Sequence, residues 1–300
     1  MRLAILGPGG VGGFLAGALD RAGTPVTLIA REPTAGHLRE HGLRVSSTRL
    51  GAAWTARPAI TEALEEPVDV LIVATKAIGL DAALDRVRVA PGLVLPLLNG
   101  LDHLGVLRER FPAVAAAVIR VEATRTAPGV IEQTSPFLGI GVATEGPQAP
   151  AIDDRLAPLL EAAGIPVRVG GTEAEVLWGK LVRLNAIALA TAASGTPMGQ
   201  ILGDAEQRAA LEAAVREGAA VAVAEGAPLD AEATWAEVVA VHPGLVSSMA
   251  RDVEAGREPE LDAIAGAVLR AAARHDVPVP AVIALTRRVA DRAGVAAPVA

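Results

Sequence analysis

The chain has 300 residues, a formal net charge of −7, no cysteine and no tyrosine. The missing cysteine excludes disulfides, thiolate-bound metal centres and a cysteine nucleophile, and at about 150 residues per domain the length predicts two domains. Phenylalanine and tryptophan together make up only 2% of the residues. An acidic chain with so few rings to stack on bases is not expected to bind nucleic acid.

Hydrophobic residues make up 51% of the chain and the mean hydropathy is +0.41, so a membrane span has to be considered. The uncharged stretch 184–203 contains Asn185, Pro197 and Gln200, which a lipid-facing helix disfavours. Much of the remaining hydrophobicity comes from alanine. We therefore expect a soluble, cytoplasmic protein without a membrane partner, either a monomer or a homodimer.

The first thirty residues predict a strand, a helix and a second strand. An apolar run at 2–6 is followed by a glycine-rich turn, an apolar helix that ends before Gly23, and a second apolar run at 25–30. Further buried strands are expected at 68–74, 94–98, 114–121, 129–133 and 137–142, and helices at 34–40, 79–87 and 102–110. This alternation predicts an α/β domain over residues 1–171, with a Rossmann-type parallel sheet.

The pattern changes after Gly171, and the rest of the chain predicts helices alone. They are expected at 172–193, 204–225, 229–241, 243–256, 260–275 and 280–293. The sequence therefore predicts an all-α second domain over residues 172–300, which would hold the substrate and supply any dimer surface.

The glycine-rich turn has the spacing Gly7-x-Gly9-x-x-Gly12 between a predicted strand and helix. In dinucleotide-binding folds the three glycines respectively make the tight turn, let backbone approach the pyrophosphate, and allow close helix packing. Gly10 and Val11 lie within the same turn and are expected to contact the cofactor as well. The alternative is an ordinary glycine turn in a chain with 31 glycines.

Two cations are expected at the carboxyl ends of neighbouring strands. Arg31 stands where NAD-binding folds usually carry an acidic residue, and Lys76 follows the run 68–74. A guanidinium suits a ribose 2′-phosphate, so the sequence favours NADP(H) over NAD(H). The alternative for both residues is a solvated surface charge.

Five short motifs follow one another along the chain: Thr75-Lys76-Ala77, Leu98-Asn99-Gly100, Trp178-Gly179-Lys180-Leu181, Ser247-Ser248-Met249 and Pro259-Glu260-Leu261-Asp262. With the glycine turn and Arg31, they make the chain resemble the ketopantoate reductases (2-dehydropantoate 2-reductases) over essentially its whole length. The resemblance implies an enzyme that uses NADPH to reduce a 2-keto acid, ketopantoate or a related branched acid, as in pantothenate biosynthesis.

The resemblance also implies roles for single residues. Lys180 would protonate or polarise the ketone oxygen, and Glu260 would orient Lys180 or hold the substrate hydroxyl. Asn99 would lie near both the nicotinamide and the reacting carbonyl, and Ser248 would bind the acid end of the substrate. Hydride addition independently requires such a donor, because it leaves negative charge on the former carbonyl oxygen.

Each of these residues also has a structural interpretation. A single lysine on an apolar helix usually extends to solvent, and Asn99-Gly100 is a common turn signal. Ser248 is equally compatible with a helix cap, and Glu260 with a first-turn acid that stabilises a helix dipole.

One departure from the family pattern concerns substrate recognition. The family usually carries asparagines four and eight residues after its lysine, where this chain has Leu184 and Ala188. Asn185 lies about 140° around the helix from Lys180, whereas Arg183 and Thr191 lie closer to the face of Lys180. We therefore expect a more apolar substrate site, with Arg183 and Thr191 as candidate substrate ligands and surface exposure as the alternative for Arg183.

No metal site is expected, because His37 and His41 have no third ligand beside them and only His103 is placed to reach the active site. Two further functional interpretations stay open at this point. One is a non-catalytic NADP-binding sensor, and the other is a related hydroxy acid dehydrogenase with the same two-domain plan. The missing tyrosine excludes a tyrosine hydroxyl as the proton donor and leaves lysine as the leading candidate.

Overall fold

The computed structural model describes residues 1–145 and 151–299. The chain divides into two units, one formed by Met1–Leu98 and His103–Val176 and the other by Asn99–Asp102 and Leu177–Ala300. The sequence places the boundary after residue 171, whereas this division falls inside the helix that begins at Glu173. In the first turn of that helix, Glu173 accepts from Arg108 of the first unit, at 2.9 Å from Nη1 to Oε1.

The first unit contains twelve strands and five α-helices among its described residues. The strands are β1 Leu3–Leu6, β2 Val26–Ile29, β3 Leu43–Ser47, β4 Gly51–Ala56, β5 Ala59–Thr61, β6 Val70–Val73, β7 Leu93–Pro96, β8 Ala117–Arg120, β9 Ala123–Ala127, β10 Val130–Gln133, β11 Gly139–Val142 and β12 Val167–Val169. The helices are α1 Gly10–Arg21, α2 Thr34–His41, α3 Leu80–Leu84, α4 His103–Arg110 and α5 Ala157–Ala162.

Five strands form a parallel sheet in the order β5-β2-β1-β6-β7. Leu3 of β1 pairs with Val26 on one side and with Val70 on the other, so β1 is central. Every residue of β1, β6 and β7 is buried, as expected for parallel strands covered on both faces. The predicted Rossmann-type fold class is confirmed.

Two smaller sheets complete this unit, with strand orders β4-β3-β10-β9 and β12-β11-β8. The sequence did not predict β3, β4, β5, β9 or β12. Strand β9 shows why, because its sequence Ala-Thr-Arg-Thr-Ala has four exposed residues of five and no apolar alternation. It is a strand because its backbone pairs with β10.

The second unit is built from helices. After Gly171 the helices are α6 Glu173–Ser194, α7 Met198–Gly203, α8 Ala205–Ala224, α9 Ala231–Val239, α10 Ser248–Glu254, α11 Ala267–Arg274 and α12 Pro280–Ala293. A π-helical turn at Asp262–Gly266 precedes α11. Among residues 177–299 every regular element is helical, which confirms the predicted all-α second part, although the short α7 was not predicted.

Helix α6 is the long apolar helix that carries Lys180. It begins with a capping box in which Thr172 Oγ1 accepts from the Glu175 N–H and Glu175 Oε2 accepts from the Thr172 N–H, at 3.1 and 2.6 Å. Its mean hydropathy of 1.3 would suit a membrane span, but 61% of the apolar window is buried within the protein. This burial is typical of a core helix.

Candidate active site

The glycine-rich turn connects β1 to α1. Gly7 has φ +107°, and a Cβ there would lie 2.9 Å from the Ala74 carbonyl oxygen. A Cβ on Gly12 would lie 2.0 Å from the Gly7 carbonyl oxygen. Only glycine fits these two positions, because one requires a left-handed backbone and the other an approach closer than any side chain allows.

The amino terminus of α1 is open. Gly9 is the N-cap and no side chain caps the helix. A Cβ on Gly9 would have one neighbour within 4 Å, the Ala74 oxygen at 3.9 Å. The first-turn N–H groups, including those of Gly10 and Val11, and the positive end of the helix dipole are therefore available to an anion.

Gly10 also has a packing role that the sequence did not reveal. A Cβ at this position would lie 2.0 Å from the Ala123 carbonyl oxygen on β9. Gly10 therefore allows the first turn of α1 to contact the second sheet, and its predicted contact with a cofactor stays a prediction.

Arg31 and Lys76 lie where the sequence places them, after β2 and β6, the two neighbours of β1 in the sheet. Both side chains are exposed. Glu32, the acid beside Arg31, accepts from Arg39 Nη1 at 3.1 Å, and Arg39 Nη2 contacts Glu62 Oε1 at 3.2 Å. Within the described residues, no hydrogen bond or ion pair engages the Arg31 guanidinium.

Lys180, Asn99 and Glu260 meet in the second unit. Lys180 Nζ donates to Asn99 Oδ1 at 2.9 Å, and Asn99 Nδ2 donates to Glu260 Oε2 at 3.2 Å. Glu260 is only 9% exposed, so this carboxylate depends on hydrogen bonds to offset its loss of hydration. Asn99 thus uses both ends of its amide to connect the ammonium to the carboxylate.

The backbone around this cluster is tightly packed. Gly100 has φ +85°, and a Cβ on it would lie 2.0 Å from the Ala263 carbonyl oxygen. Ala263 belongs to the π-helical turn that follows Glu260. The Asn99-Gly100 motif therefore forms a chain reversal, in agreement with its interpretation as a turn signal. This reversal brings Asn99 to Glu260.

An ion-pair network beside the cluster was not predicted from the sequence. Arg270 on α11 donates to Asp262 Oδ1 at 2.8 Å and to Asp102 Oδ2 at 2.6 Å. Burial lowers the pKa of Arg270, but hydrogen bonds to Asp262 and Asp102 outweigh it and raise the pKa overall. This network could not be predicted from local patterns, because its three residues come from two segments far apart in the sequence.

Ser248 and Thr191 have different environments. Ser248 is exposed in the first turn of α10, and the neighbouring Ser247 caps that helix by accepting from the Ala250 N–H at 3.1 Å. Thr191 is 0% exposed. Its hydroxyl lies 2.7 Å from both the Ile187 carbonyl oxygen and Ser247 Oγ. Thr191 therefore supports the Ser247 cap in this structure and does not present its hydroxyl to a ligand.

The face of α6 near Lys180 is apolar. Leu184 is partly buried and Ala188 is buried. Arg183 forms an ion pair with Glu237 and is 21% exposed, so it is not the fully exposed residue of the alternative interpretation. Asn185 is 1% exposed, and neither amide atom has a hydrogen-bond partner among the described residues.

The histidines considered in the sequence either contact neighbouring protein groups or are buried. His37 and His41 stack with ring centroids 4.5 Å apart, and His37 Nε2 lies 3.1 Å from the Pro128 carbonyl oxygen. His103 is 5% exposed. In residues 1–145 and 151–299, no group of three or more potential ligands is placed to hold a metal ion.

A Rossmann-type sheet with an open glycine turn, followed by a helical unit in which a lysine is held by an amide, is typical of one class of protein. That class is the two-domain oxidoreductases that transfer a hydride to or from a carbon bearing oxygen.

Comparison with known proteins assigns the family. The family model described as ketopantoate reductase PanE/ApbA matches residues 3–141, and the model of its C-terminal part matches residues 174–293. The 2-dehydropantoate 2-reductase of Halobacterium salinarum is 31% identical over 98% of this chain and 100% of its own length. That of Caulobacter vibrioides is 31% identical over 93% and 94%.

Two solved structures have the same fold. The ketopantoate reductase of Ralstonia eutropha JMP134 superposes with a TM-score of 0.85 at 26% identity, covering 98% of this chain and 99% of its own. A D-mandelate dehydrogenase solved with NADH and anilino(oxo)acetate has a TM-score of 0.86 at 22% identity, with coverage of 98% and 99%.

The chain belongs to the ketopantoate reductase family. It is accordingly an oxidoreductase acting on a CH–OH or ketone group, which argues against the alternative of a non-catalytic sensor. The D-mandelate dehydrogenase was solved with NADH, whereas the cofactor of this chain stays a prediction. The roles predicted for the individual site residues stay predictions, those of Lys180, Glu260, Asn99, Ser248, Arg183, Arg31, Lys76 and the glycine turn included.

Proposed function

We propose that this protein uses NADPH to reduce a 2-keto acid, ketopantoate or a related branched acid, to the 2-hydroxy acid. The observation that carries the proposal is the chain of two hydrogen bonds from Lys180 through Asn99 to Glu260, at 2.9 and 3.2 Å. The relatives from Halobacterium salinarum and Caulobacter vibrioides, each 31% identical, carry the name 2-dehydropantoate 2-reductase, which supports the same chemistry.

Lys180 serves as the proton donor in this proposal. A reduced nicotinamide, when bound, would supply the hydride for the keto carbon. The π electron pair of the C=O bond moves onto oxygen, and that oxygen takes a proton from Lys180 Nζ. The amine left on Lys180 regains its proton from solvent, so the product carries a hydroxyl in place of the ketone and Lys180 returns to its charged state.

Asn99 and Glu260 hold this donor in place. The Asn99 carbonyl accepts one Nζ–H of Lys180, which limits the directions in which the ammonium can point. The Glu260 carboxylate orients the Asn99 amide by accepting a hydrogen bond from Nδ2. The charged donor is therefore preorganised before the substrate arrives.

The preference for NADPH follows from the charges beyond β2. An acidic residue at the tip of this strand would accept from the 2′-hydroxyl of NADH and repel a 2′-phosphate. Here Arg31 is exposed, whereas the Glu32 carboxylate is bound to Arg39. Arg31, supported by Lys76 on the neighbouring strand, would contact the phosphate, and the open turn at Gly9 and Gly12 would receive the pyrophosphate.

The proposed substrate preference follows from the apolar face of α6 near Lys180. Leu184 and Ala188 offer no hydrogen bonds to a hydroxylated substrate, so apolar branched 2-keto acids are expected to compete well with ketopantoate. Arg183, on the same helix, and Ser248, exposed in α10, are the candidate ligands for the carboxylate. The Arg183 ion pair with Glu237 would have to share its guanidinium with the substrate.

A panel of 2-keto acids followed by NADPH absorbance tests the function. Wild-type protein is expected to reduce at least one branched acid, and Lys180→Ala is expected to lose about 10²–10⁴-fold in kcat while still binding NADPH. Lys180→Arg is the matched variant, because it keeps the charge but not a readily released proton. Full activity in Lys180→Ala would refute the assigned role, and oxidation of hydroxy acids alone would favour the related dehydrogenase.

The cofactor preference has its own test. Arg31→Ala is expected to raise KM for NADPH by roughly tenfold or more, because a charge-assisted hydrogen bond to the phosphate is lost. KM for NADH should barely change. Equal effects on both cofactors would show that Arg31 does not contact the 2′-phosphate.

A further inference from the structure

The segment Asn99–Asp102 carries the amide that connects Lys180 to Glu260, and its other end is held by an ion pair. Asp102 Oδ2 accepts from Arg270 Nη2 at 2.6 Å. The same guanidinium reaches Asp262 Oδ1 through Nη1 at 2.8 Å and the Asp262 carbonyl oxygen through Nη2 at 3.2 Å. Arg270 therefore bonds to both sides of the cluster without touching Lys180, Asn99 or Glu260 in these hydrogen bonds.

The carboxylates of Asp102 and Asp262 lie on the two segments that carry Asn99 and Glu260, and the spacing of these segments sets the Asn99–Glu260 hydrogen bond. Asp102 lies three residues after Asn99, and Asp262 lies two residues after Glu260. Between them, Gly100 packs so closely on the π-helical turn that a Cβ would lie 2.0 Å from the Ala263 oxygen. Close packing prevents the segments from approaching further, and the ion pairs of Arg270 oppose their separation.

The rigid guanidinium of Arg270 can fix the relative position of the two segments even though its ion pairs are partly exposed. Its side chain is 31% exposed, whereas Asp102 and Asp262 are 53% and 71% exposed. Exposed pairs contribute little to overall stability. One planar guanidinium that donates to two carboxylates and a carbonyl nevertheless fixes their relative position, because its donors have a rigid geometry.

We propose that Arg270 is a positioning residue for the reduction: by holding Asp102 and Asp262 together, it fixes the spacing between Asn99 and Glu260 and thereby the direction of Lys180. This inference rests on the proposed function. Small displacements of a donor cost catalysis more than they cost folding, and roughly 1 Å can cost about 10²-fold. Arg270 therefore controls turnover through Asn99, and its contribution to stability is minor.

The test compares three variants on helix α11. Arg270→Met keeps the apolar stem of the side chain and removes its charge and donors, whereas Arg270→Lys keeps the charge but replaces the rigid planar guanidinium with a single ammonium nitrogen. Arg274→Met is the matched control, because Arg274 lies one turn further along the same helix and pairs with Glu225 at 2.8 Å. The measurements are kcat, KM, the pH dependence of kcat and the thermal midpoint.

We expect Arg270→Met to lower kcat by about tenfold or more and to change its pH dependence, with KM for NADPH unchanged. Arg270→Lys should recover only part of kcat. Arg274→Met should lose a similar amount of thermal stability and keep wild-type kcat. Wild-type kcat and pH dependence in Arg270→Met, or an equal loss of kcat in Arg274→Met, would overturn the proposal.

A readout without turnover separates this inference from the proposed function. Lys76 and Lys180 are the two lysines of the chain, so lysine-selective isotope labelling gives two resolvable NMR signals, assigned with Lys76→Arg. Because Asn99 sets the direction of the ammonium, the Lys180 signal should shift or broaden in Arg270→Met and stay unchanged in Arg274→Met. An unmoved Lys180 signal would reject the positioning role even if no keto acid is reduced.

Discussion

The substitution Asn99→Asp tests the hydrogen-bonded cluster most directly, because it changes one atom and keeps the shape of the side chain. The oxygen that accepts from Lys180 Nζ at 2.9 Å is retained. The Nδ2 group that donates to Glu260 Oε2 at 3.2 Å is replaced by a second oxygen. A donor facing an acceptor thus becomes two acceptors facing each other.

The magnitude follows from this distance. Two unit charges at the 3.2 Å that now separates Nδ2 from Oε2 repel by about 5 kcal/mol at an effective dielectric constant of about 20. A lost hydrogen bond to a charged group adds about 1.5–3 kcal/mol. Both carboxyls cannot remain ionised so close together, so at neutral pH they either share a proton or move apart.

The expected result is a loss of about 10²-fold in kcat at neutral pH, with binding of NADPH retained. The sign of the pH effect is set by the new carboxyl. When it is protonated, its O–H donates to Glu260 as the amide did, so the activity of Asn99→Asp relative to wild type should rise as the pH falls. Activity is measured by NADPH absorbance across pH, beside a thermal unfolding control.

The double variant Asn99→Asp with Glu260→Gln provides a matched rescue. It reverses the direction of the hydrogen bond, since the new amide donates to the new carboxylate. Recovery above the product of the two single effects is expected at neutral pH. Wild-type kcat in Asn99→Asp, or no coupling in the double variant, would refute the idea that Asn99 transmits order from Glu260 to Lys180.

Three further predictions concern other parts of the chain. Arg39→Ala should free the Glu32 carboxylate and lower the preference for NADPH over NADH by roughly three- to tenfold; the Arg39→Ala/Glu32→Gln double variant should restore it, and an unchanged ratio would contradict the argument. Gly10→Ala should prevent stable folding, seen as lost cooperative unfolding, because its Cβ would meet a carbonyl oxygen at 2.0 Å. Burial raises the pKa of Glu225, but hydrogen bonds from Arg274 and His275 outweigh it and leave the pKa below its usual 4.5. A lowered pKa stabilises the fold above the unfolded value and the effect disappears as the pH falls through the folded value. Urea unfolding should therefore show Glu225→Gln less stable than wild type at pH 7 and equal to it at acidic pH; a difference independent of pH would reject the ion pairs as the cause.

Local chemistry in the sequence was sufficient for several conclusions. The alternation of apolar runs with amphipathic segments predicted the parallel strands β1, β2, β6 and β7 and the helices of the second unit, because both periods are properties of neighbouring residues. The glycine turn could also be predicted, because a left-handed backbone such as that of Gly7, at φ +107°, depends on the residue type at that position. The absence of tyrosine and cysteine restricted the proton donor without any structure.

Tertiary structure decided what depended on distant partners. Strand β9 exists through its pairing with β10, and the buried Thr191 hydroxyl donates to Ser247 Oγ, 56 residues away in the sequence. Asn99 finds Lys180 and Glu260 across 81 and 161 residues of sequence. Asp102 meets Arg270 across 168 residues. Such contacts leave no periodic trace in the sequence, because their geometry arises only when separate elements pack against one another.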